Sequence, residues 1–197
     1  LDAAFDGIEK VYHLARSPAD TWEEWAQLDS EPTGKIAELC SSKGVQRLVY
    51  TSTVHCYFTG NSDEVITRDT PLDPKMGQRN YSTRAKAKCE AMLLEMHRER
   101  GLDVVITRPG VVVGTGGSPF HWGIGYWSFD RVCQFWGQGT NTLPIVLVED
   151  VASGLIQAME TPNVGGQSFN FIGDVVLTGR EYVEELERYS GLKIDAR

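Results

Sequence analysis

The sequence predicts an α/β fold: part of a doubly wound parallel sheet joined to a small carboxyl-terminal lobe. Three observations predict it. Short apolar runs at residues 11–15, 45–51 and 103–108 alternate with helical patterns, and the helices before the second and third runs end in Gly44 and Gly101. That order favours right-handed crossovers with helices on both faces of a parallel sheet. Beyond Gly114 the composition shifts, with five glycines in residues 114–125 and seven aromatics in residues 120–136.

Taken in order, residues 1–5 are a short apolar-periodic piece that Asp6-Gly7 turns. Residues 11–15, Val-Tyr-His-Leu-Ala, read as a buried parallel strand running into a loop at Ser17-Pro18. Residues 17–29 are polar apart from Trp22 and Trp25 and suit either a helix start or an irregular crossing. Residues 32–43 are helical, with Ile36, Leu39 and Cys40 inward, Pro32 near the start and Gly44 at the end. A long polar connection, residues 61–80, holds Pro71 and Pro74. Later, residues 145–148 form a strand, and residues 149–160 a helix with Val151, Leu155, Ile156 and Met159 on one side. Residues 167–172 form another strand, and Thr178 with Glu181 makes a capping box opening a last helix that Gly191 closes.

The 197 residues are 41% apolar, enough for one core plus a small lobe. A net charge of −8 disfavours a nucleic-acid phosphate track. Cys40, Cys56, Cys89 and Cys133 show neither CxxC pairing nor a histidine at zinc spacing, so buried reduced thiols of a cytoplasmic protein are expected, without a metal site. No apolar run reaches the roughly 18 residues of a membrane span, and the first residues are not a signal peptide.

Residues 80–90, Asn-Tyr-Ser-Thr-Arg-Ala-Lys-Ala-Lys-Cys-Glu, open the longest helix. Ala85, Cys89, Met92, Leu93 and Met96 form its inward stripe; Gly101 ends it as a left-handed residue, with His97, Arg98 and Arg100 in the last turn. A tyrosine at such a start with a lysine about one turn on is a proton-transfer device. The ammonium favours phenolate and draws the phenol down from its usual pKa of about 10. Taken alone, the stretch is equally an exposed basic helix beginning with a packed tyrosine.

Three further runs add context: His13-Leu-Ala15, Arg47-Leu-Val-Tyr-Thr-Ser-Thr-Val-His-Cys-Tyr57 and Thr107-Arg-Pro-Gly-Val-Val-Val-Gly114. With the Pro-rich link at residues 69–74, Leu147-Val-Glu-Asp-Val-Ala152 and Phe169-Asn-Phe-Ile-Gly173, their order resembles the extended short-chain dehydrogenase/reductase family of NAD-dependent epimerase/dehydratase type. The resemblance covers nearly the whole chain. It implies a Rossmann-like sheet, NAD or NADP as cofactor, and an oxidoreductase or epimerase/dehydratase moving hydride between nicotinamide and a carbinol or carbonyl carbon. By resemblance, Thr53, four residues before Tyr57, would orient the substrate oxygen and Tyr81 would be the general acid/base. Lys86 would bind the nicotinamide ribose and depress the phenol pKa; Ala15, Arg16, Thr51, Pro109 and Val111 would line the cofactor beside Tyr81 and Lys86. Ligands of open α/β sheets bind beyond the carboxyl ends of the strands, where these runs finish. Outside the resemblance, Thr53 is a strand-end hydroxyl capping a loop. The implied domains are residues 1–115, with 143–173 returning to them, and a substrate lobe of residues 116–142 and 174–197.

Two departures qualify this. The family pattern is Tyr-x-x-x-Lys, but residue 85 is alanine and Lys86 stands five residues after Tyr81. At about 100° per residue, a regular helix sets the two roughly 140° apart. Ser82 has the four-residue spacing to Lys86, and Glu90 follows Lys86 as it often follows the family lysine. A one-residue π-bulge near the helix start would restore the pair and is the expectation. Otherwise the pair is broken, giving a catalytically impaired dinucleotide-binding sensor or scaffold, or Tyr81 works with Arg84. Secondly, the family's GxxGxxG turn, which seats the cofactor pyrophosphate on a helix N-terminus, does not precede Leu1. The expectation is a piece of a longer chain that does not hold a dinucleotide tightly by itself.

In the family the region after residue 114 builds the substrate lobe. Here it carries Phe120, Trp122, Tyr126, Trp127, Phe129, Phe135 and Trp136, with Arg131 as the one Lys or Arg between Gly114 and Asn141. That favours an apolar or ring-bearing small-molecule substrate over a nucleotide diphosphate. The same aromatics would also serve as lobe core or subunit contact. No nucleic acid and no membrane is expected as partner, and a homodimer is left open.

Overall fold

The computed structural model describes residues 1–16, 19–57 and 65–197; the loop expected at Ser17-Pro18 and residues 61–64 of the polar connection lie outside them. The fold is the expected mixed α/β type. The chain divides into two compact units, residues 1–109 with 153–170, and residues 110–152 with 171–197.

The first unit is built on a sheet ordered β1 (Lys10–His13), β2 (Arg47–Thr51), β3 (Val104–Pro109) and β9 (Ser168–Phe171). β1, β2 and β3 run parallel, with Lys10 opposite Arg47 and Leu48 opposite Val104. Central strands covered on both faces need continuous apolar runs, and Leu48, Val49, Val104, Val105 and Ile106 are fully buried. β1 departs from the buried strand expected of it: Tyr12 and Leu14 are exposed, since among the described residues β2 is its one hydrogen-bonded neighbour.

α2 (Glu31–Lys43) and α3 (Tyr81–Arg100) lay Ala37, Cys40, Cys89, Leu93 and Met96 on one apolar cluster with Leu48, Tyr50, Val104 and Ile106. Left-handed Gly44 and Gly101 close these helices. Asn80 opens α3 by accepting from the Thr83 amide at 2.9 Å, and the regular ladder begins with Arg84 N on Asn80 O at 3.1 Å. Ahead of α2, α1 (Trp22–Trp25) with a Thr21–Glu24 capping box runs into a π-helical turn, Ala26–Ser30. Pro32 explains that turn. A proline cannot donate to the carbonyl four residues back and its ring clashes there, so the backbone widens just before it, with Glu31 N reaching Ala26 O.

A buried ion pair ties α3 to the sheet. Arg108 on β3 grips Glu90 on α3 bidentately, Nε to Oε1 at 3.0 Å and Nη2 to Oε2 at 2.5 Å. Its Nη1 donates to Tyr57 OH at 2.6 Å, and that phenol donates to Asn170 Oδ1 at 2.8 Å. Arg47 pairs with Asp103 and donates to the carbonyls of Ala158, Met159 and Thr161.

In the second unit β4 (Val111–Val113) pairs in parallel with β8 (Ile145–Leu147). The sequence reading placed residues 143–173 with the main sheet, whereas the structure keeps residues 153–170 there. The chain breaks at Gly110, where any Cβ would strike the Pro144 carbonyl, and the strand beyond it takes β8 as partner. β5 (Gly125–Ser128) and β6 (Val132–Phe135) form a hairpin, and β7 (Thr142–Leu143) pairs with β10 (Leu177–Thr178). The Thr178–Glu181 box opens α5 (Gly179–Ser190), Gly191 closes it, and β11 (Asp195–Ala196) adds to β6. The core is Val111, Ile124, Cys133, Phe135, Leu143, Ile145 and Val183. The aromatics divide: Phe135 is inward, while Trp122, Tyr126, Phe129 and Trp136 are exposed, Trp122 stacked on Trp136 at 6.3 Å. α4 (Val148–Glu160) crosses from one unit into the other; Val151, Leu155 and Met159 are buried, but Ile156, one residue off that stripe, is exposed. All four cysteines are free and buried.

Candidate functional site

The carboxyl ends of β1 and β2 and the first turns of α3 gather the expected residues of the first unit. Lys86 is 6% exposed and donates from Nζ to Ala15 O at 3.3 Å, just beyond β1, with its ammonium 4.8 Å from the Tyr50 ring centre. Tyr81, at the start of the same helix, is 41% exposed. Its ring lies 6.5 Å from Trp22, and the Arg84 guanidinium sits 5.6 Å from the Tyr81 ring and 4.1 Å from the Trp22 ring. The π-bulge expected in α3 is absent, because the Asn80 cap and the buried Ala85–Cys89–Leu93 stripe hold an unbroken α-helix from Tyr81 to Arg100. Five residues of regular helix therefore turn Lys86 inward and Tyr81 outward. Ser82 is half-buried between them.

Thr53 is half-buried and caps the short turn Val54–Cys56, its Oγ1 accepting from His55 N at 3.2 Å. That turn is fastened to the start of α3. Arg79 donates to the carbonyls of His55 and Tyr57, and Cys56 Sγ meets Thr83 O. Among the described residues Thr53, Tyr81 and Lys86 make no direct polar contact with one another. Thr51 Oγ1 lies 3.3 Å from Thr107 Oγ1, the exposed Arg16 packs over Trp25, and Pro109 is buried at the end of β3. Val111 belongs to the second unit, with its side chain in that unit's core.

Beneath Lys86 lies a polar cluster that the sequence reading missed. His13 Nε2 donates to Thr33 Oγ1 at 2.8 Å, and Thr33 donates to Asp29 O at 2.7 Å. Burial, helped by the Lys86 charge, lowers the His13 pKa to about 4. Burial likewise raises the Asp29 carboxyl, against the pull of Lys86 and Arg16. Asp29 Oδ2 and Ser30 Oγ are buried without a hydrogen-bond partner among the described residues. The usable signal was a carboxylate and a hydroxyl one turn or less before Pro32, where helix widening turns them inward. Folded His13 stays neutral down to about 4, whereas the unfolded chain takes up that proton near 6.5. Stability linked to His13 is thus intact above about 6.5 and is lost as the pH falls toward 4, on the order of 2–3 kcal/mol. Urea unfolding across that window should show the slope, and His13→Gln should flatten it.

The NAD dependent epimerase/dehydratase family matches residues 1–172 of the sequence. The chain belongs to this family. An Arabidopsis thaliana 3β-hydroxysteroid-dehydrogenase/decarboxylase, isoform 1, is 31% identical over 119 residues, covering 57% of this chain and 26% of that protein. The uncharacterized protein y4nG of Sinorhizobium fredii is 28% identical over 201 residues, covering 96% of this chain and 48% of that protein. The Bos taurus sterol-4-alpha-carboxylate 3-dehydrogenase, decarboxylating, is 26% identical over 182 residues, covering 88% and 51%. The chain thus spans about half or less of these relatives. In fold it resembles a Bacillus cereus UDP-glucuronic acid 4-epimerase solved with UDP-glucuronic acid and NAD, with a TM-score of 0.82, 23% identity and coverage of 100% of this chain and 64% of that one.

The family is NAD-dependent. A lysine ammonium has three donors, of which the Ala15 carbonyl takes one, leaving two without a partner among the described residues. Among the described residues no cluster of three His, Cys, Asp or Glu could hold a metal, and no helix is long and apolar enough to cross a membrane.

Proposed function

We propose that the protein is an NAD-dependent oxidoreductase or epimerase/dehydratase acting at a carbinol or carbonyl carbon of an apolar, ring-bearing molecule. The observation that carries this is the buried Lys86 ammonium held at the end of β1 with donors to spare. Lys86 binds the nicotinamide ribose, and the backbone at Ala15, Thr51 and Pro109 lines the cofactor. Bound nicotinamide supplies or accepts the hydride. The Thr53 hydroxyl, whose oxygen is already occupied by the His55 amide, has its hydrogen free to orient the substrate oxygen. Tyr81 delivers or removes the proton on that oxygen. The seven aromatics among residues 120–136 of the sequence support a ring-bearing substrate, as do relatives named for steroid substrates. Four buried free thiols suit a reducing, cytoplasmic setting.

A second reading, a dinucleotide-binding sensor, is favoured by the regular helix that separates Tyr81 from Lys86. The two part in one experiment: full-length protein is given NAD or NADH with a panel of hydroxysteroids, cyclic alcohols and ketones. The oxidoreductase should change nicotinamide absorbance with at least one of them. Cofactor binding by calorimetry with no absorbance change across the panel would support the sensor instead.

A further inference from the structure

We propose that the groove on the outer flank of α3 is a binding site for a small, flat, acidic molecule of the aromatic carboxylate type. It is an open groove of about 340 Å³, at the small end of the usual range for small-ligand sites. Leu72, Met76 and Ala87 form an apolar floor, and the Trp22 indole makes one wall.

The charge at its mouth is the informative feature. Arg84 and Lys88, one helical turn apart, both lie over Trp22, at 4.1 and 5.9 Å from the ring. Like charges at this spacing destabilise a helix slightly, and among the described residues neither cation meets a carboxylate within ion-pair distance. The one acid in the lining, Asp73, is buried and committed elsewhere, accepting from Lys75 N at 2.8 Å and pairing with Arg79 at 3.5 Å. A chain of net charge −8 thus concentrates two uncompensated cations over one aromatic face.

A ligand carboxylate would relieve that repulsion and match the guanidinium fork, while its ring packs between the indole and the apolar floor. A neutral apolar molecule would gain the floor but not the cations. An inorganic anion would gain the cations but not the floor. The site uses neither the cofactor lysine nor the Tyr81 hydroxyl, so it stands or falls separately from the proposed reaction. Its wall nonetheless touches the reaction's surroundings, since the Trp22 ring lies 6.5 Å from that of Tyr81.

The test is fluorescence titration of the full-length protein with anilinonaphthalene sulfonate, which is anionic and aromatic, and with neutral phenylnaphthylamine. The anionic dye should bind more tightly, weaken as salt rises, and be displaced by benzoate. Lys88→Gln and Arg84→Gln should each cost it about tenfold or more in affinity, and leave the neutral dye and the circular dichroism unchanged. Tyr81→Phe should leave the anionic dye bound as before. Equal binding of the two dyes, or unchanged anionic-dye affinity in both glutamine variants, would overturn the proposal. So would sedimentation showing a dimer that Lys88→Gln dissociates, because a second copy would then occupy the groove.

Discussion

Tyr81→Phe is expected to lower kcat by about 10²–10⁴-fold, the usual contribution of a positioned acid/base, while NAD affinity stays within error. Phenylalanine keeps the ring that packs near Trp22 and Arg84 and removes just the hydroxyl, so a loss of rate reports proton transfer and not folding. Lys86→Met should behave differently. It removes the ammonium from the Ala15 carbonyl and should weaken NAD binding first, with kcat falling as well. Ser82→Ala serves as the counter-experiment, because Ser82 has the four-residue spacing to Lys86 on an unbroken helix. Stopped-flow traces for the three variants separate the outcomes. If Tyr81→Phe turns over normally and Ser82→Ala does not, the proton passes on the Lys86 side of the helix and the assignment of Tyr81 fails.

Glu90→Gln should destabilise the protein by about 3–5 kcal/mol, the cost of leaving one member of a buried ion pair uncompensated. Glutamine preserves the volume, so no cavity contributes. What it removes is the charge that opposes burial of Arg108, which burial alone would push toward neutrality and Glu90 holds in the charged form. The consequences spread because the guanidinium also holds Tyr57, and through that phenol Asn170. Urea unfolding should show the midpoint falling with little change of slope. The double variant Glu90→Met/Arg108→Met should recover part of the loss, since two apolar side chains of similar volume need no charge compensation there. A single variant as stable as the parent would mean that water reaches Arg108.

The sheet and its helices were legible because apolar period and glycine stops are local signals. Residues 45–51 and 103–108 are centred on short apolar runs, Leu48-Val49-Tyr50 and Val104-Val105-Ile106, and they became β2 and β3 within two residues at each end. Gly44, Gly101 and Gly191 stop their helices by adopting a backbone that other residues resist, which a sequence displays directly. The site was less legible, since its geometry depends on helix phase. The residue types Tyr81 and Lys86 are plain to read, but which one turns inward is decided by Asn80 and the Ala85–Cys89–Leu93 stripe acting on the whole helix. The π-turn was anticipated in the wrong helix for a related reason: functional spacing suggested it in α3, whereas the steric demand of Pro32 places it before α2. The Arg108–Glu90 pair joins residues far apart in the chain. Its trace in the sequence was a charged residue within an apolar strand and another on the buried side of a helix.

The first unit is interrupted: its sheet is completed by β9, which arrives only after residues 110–152 have passed through the second unit. During synthesis β3 therefore leaves the ribosome well before the strand that covers its flank, and its backbone donors and acceptors stand bare meanwhile. The Arg47 clasp on Ala158, Met159 and Thr161 can close only once that late segment has emerged, so a chain stalled in the second unit keeps an open template for other chains.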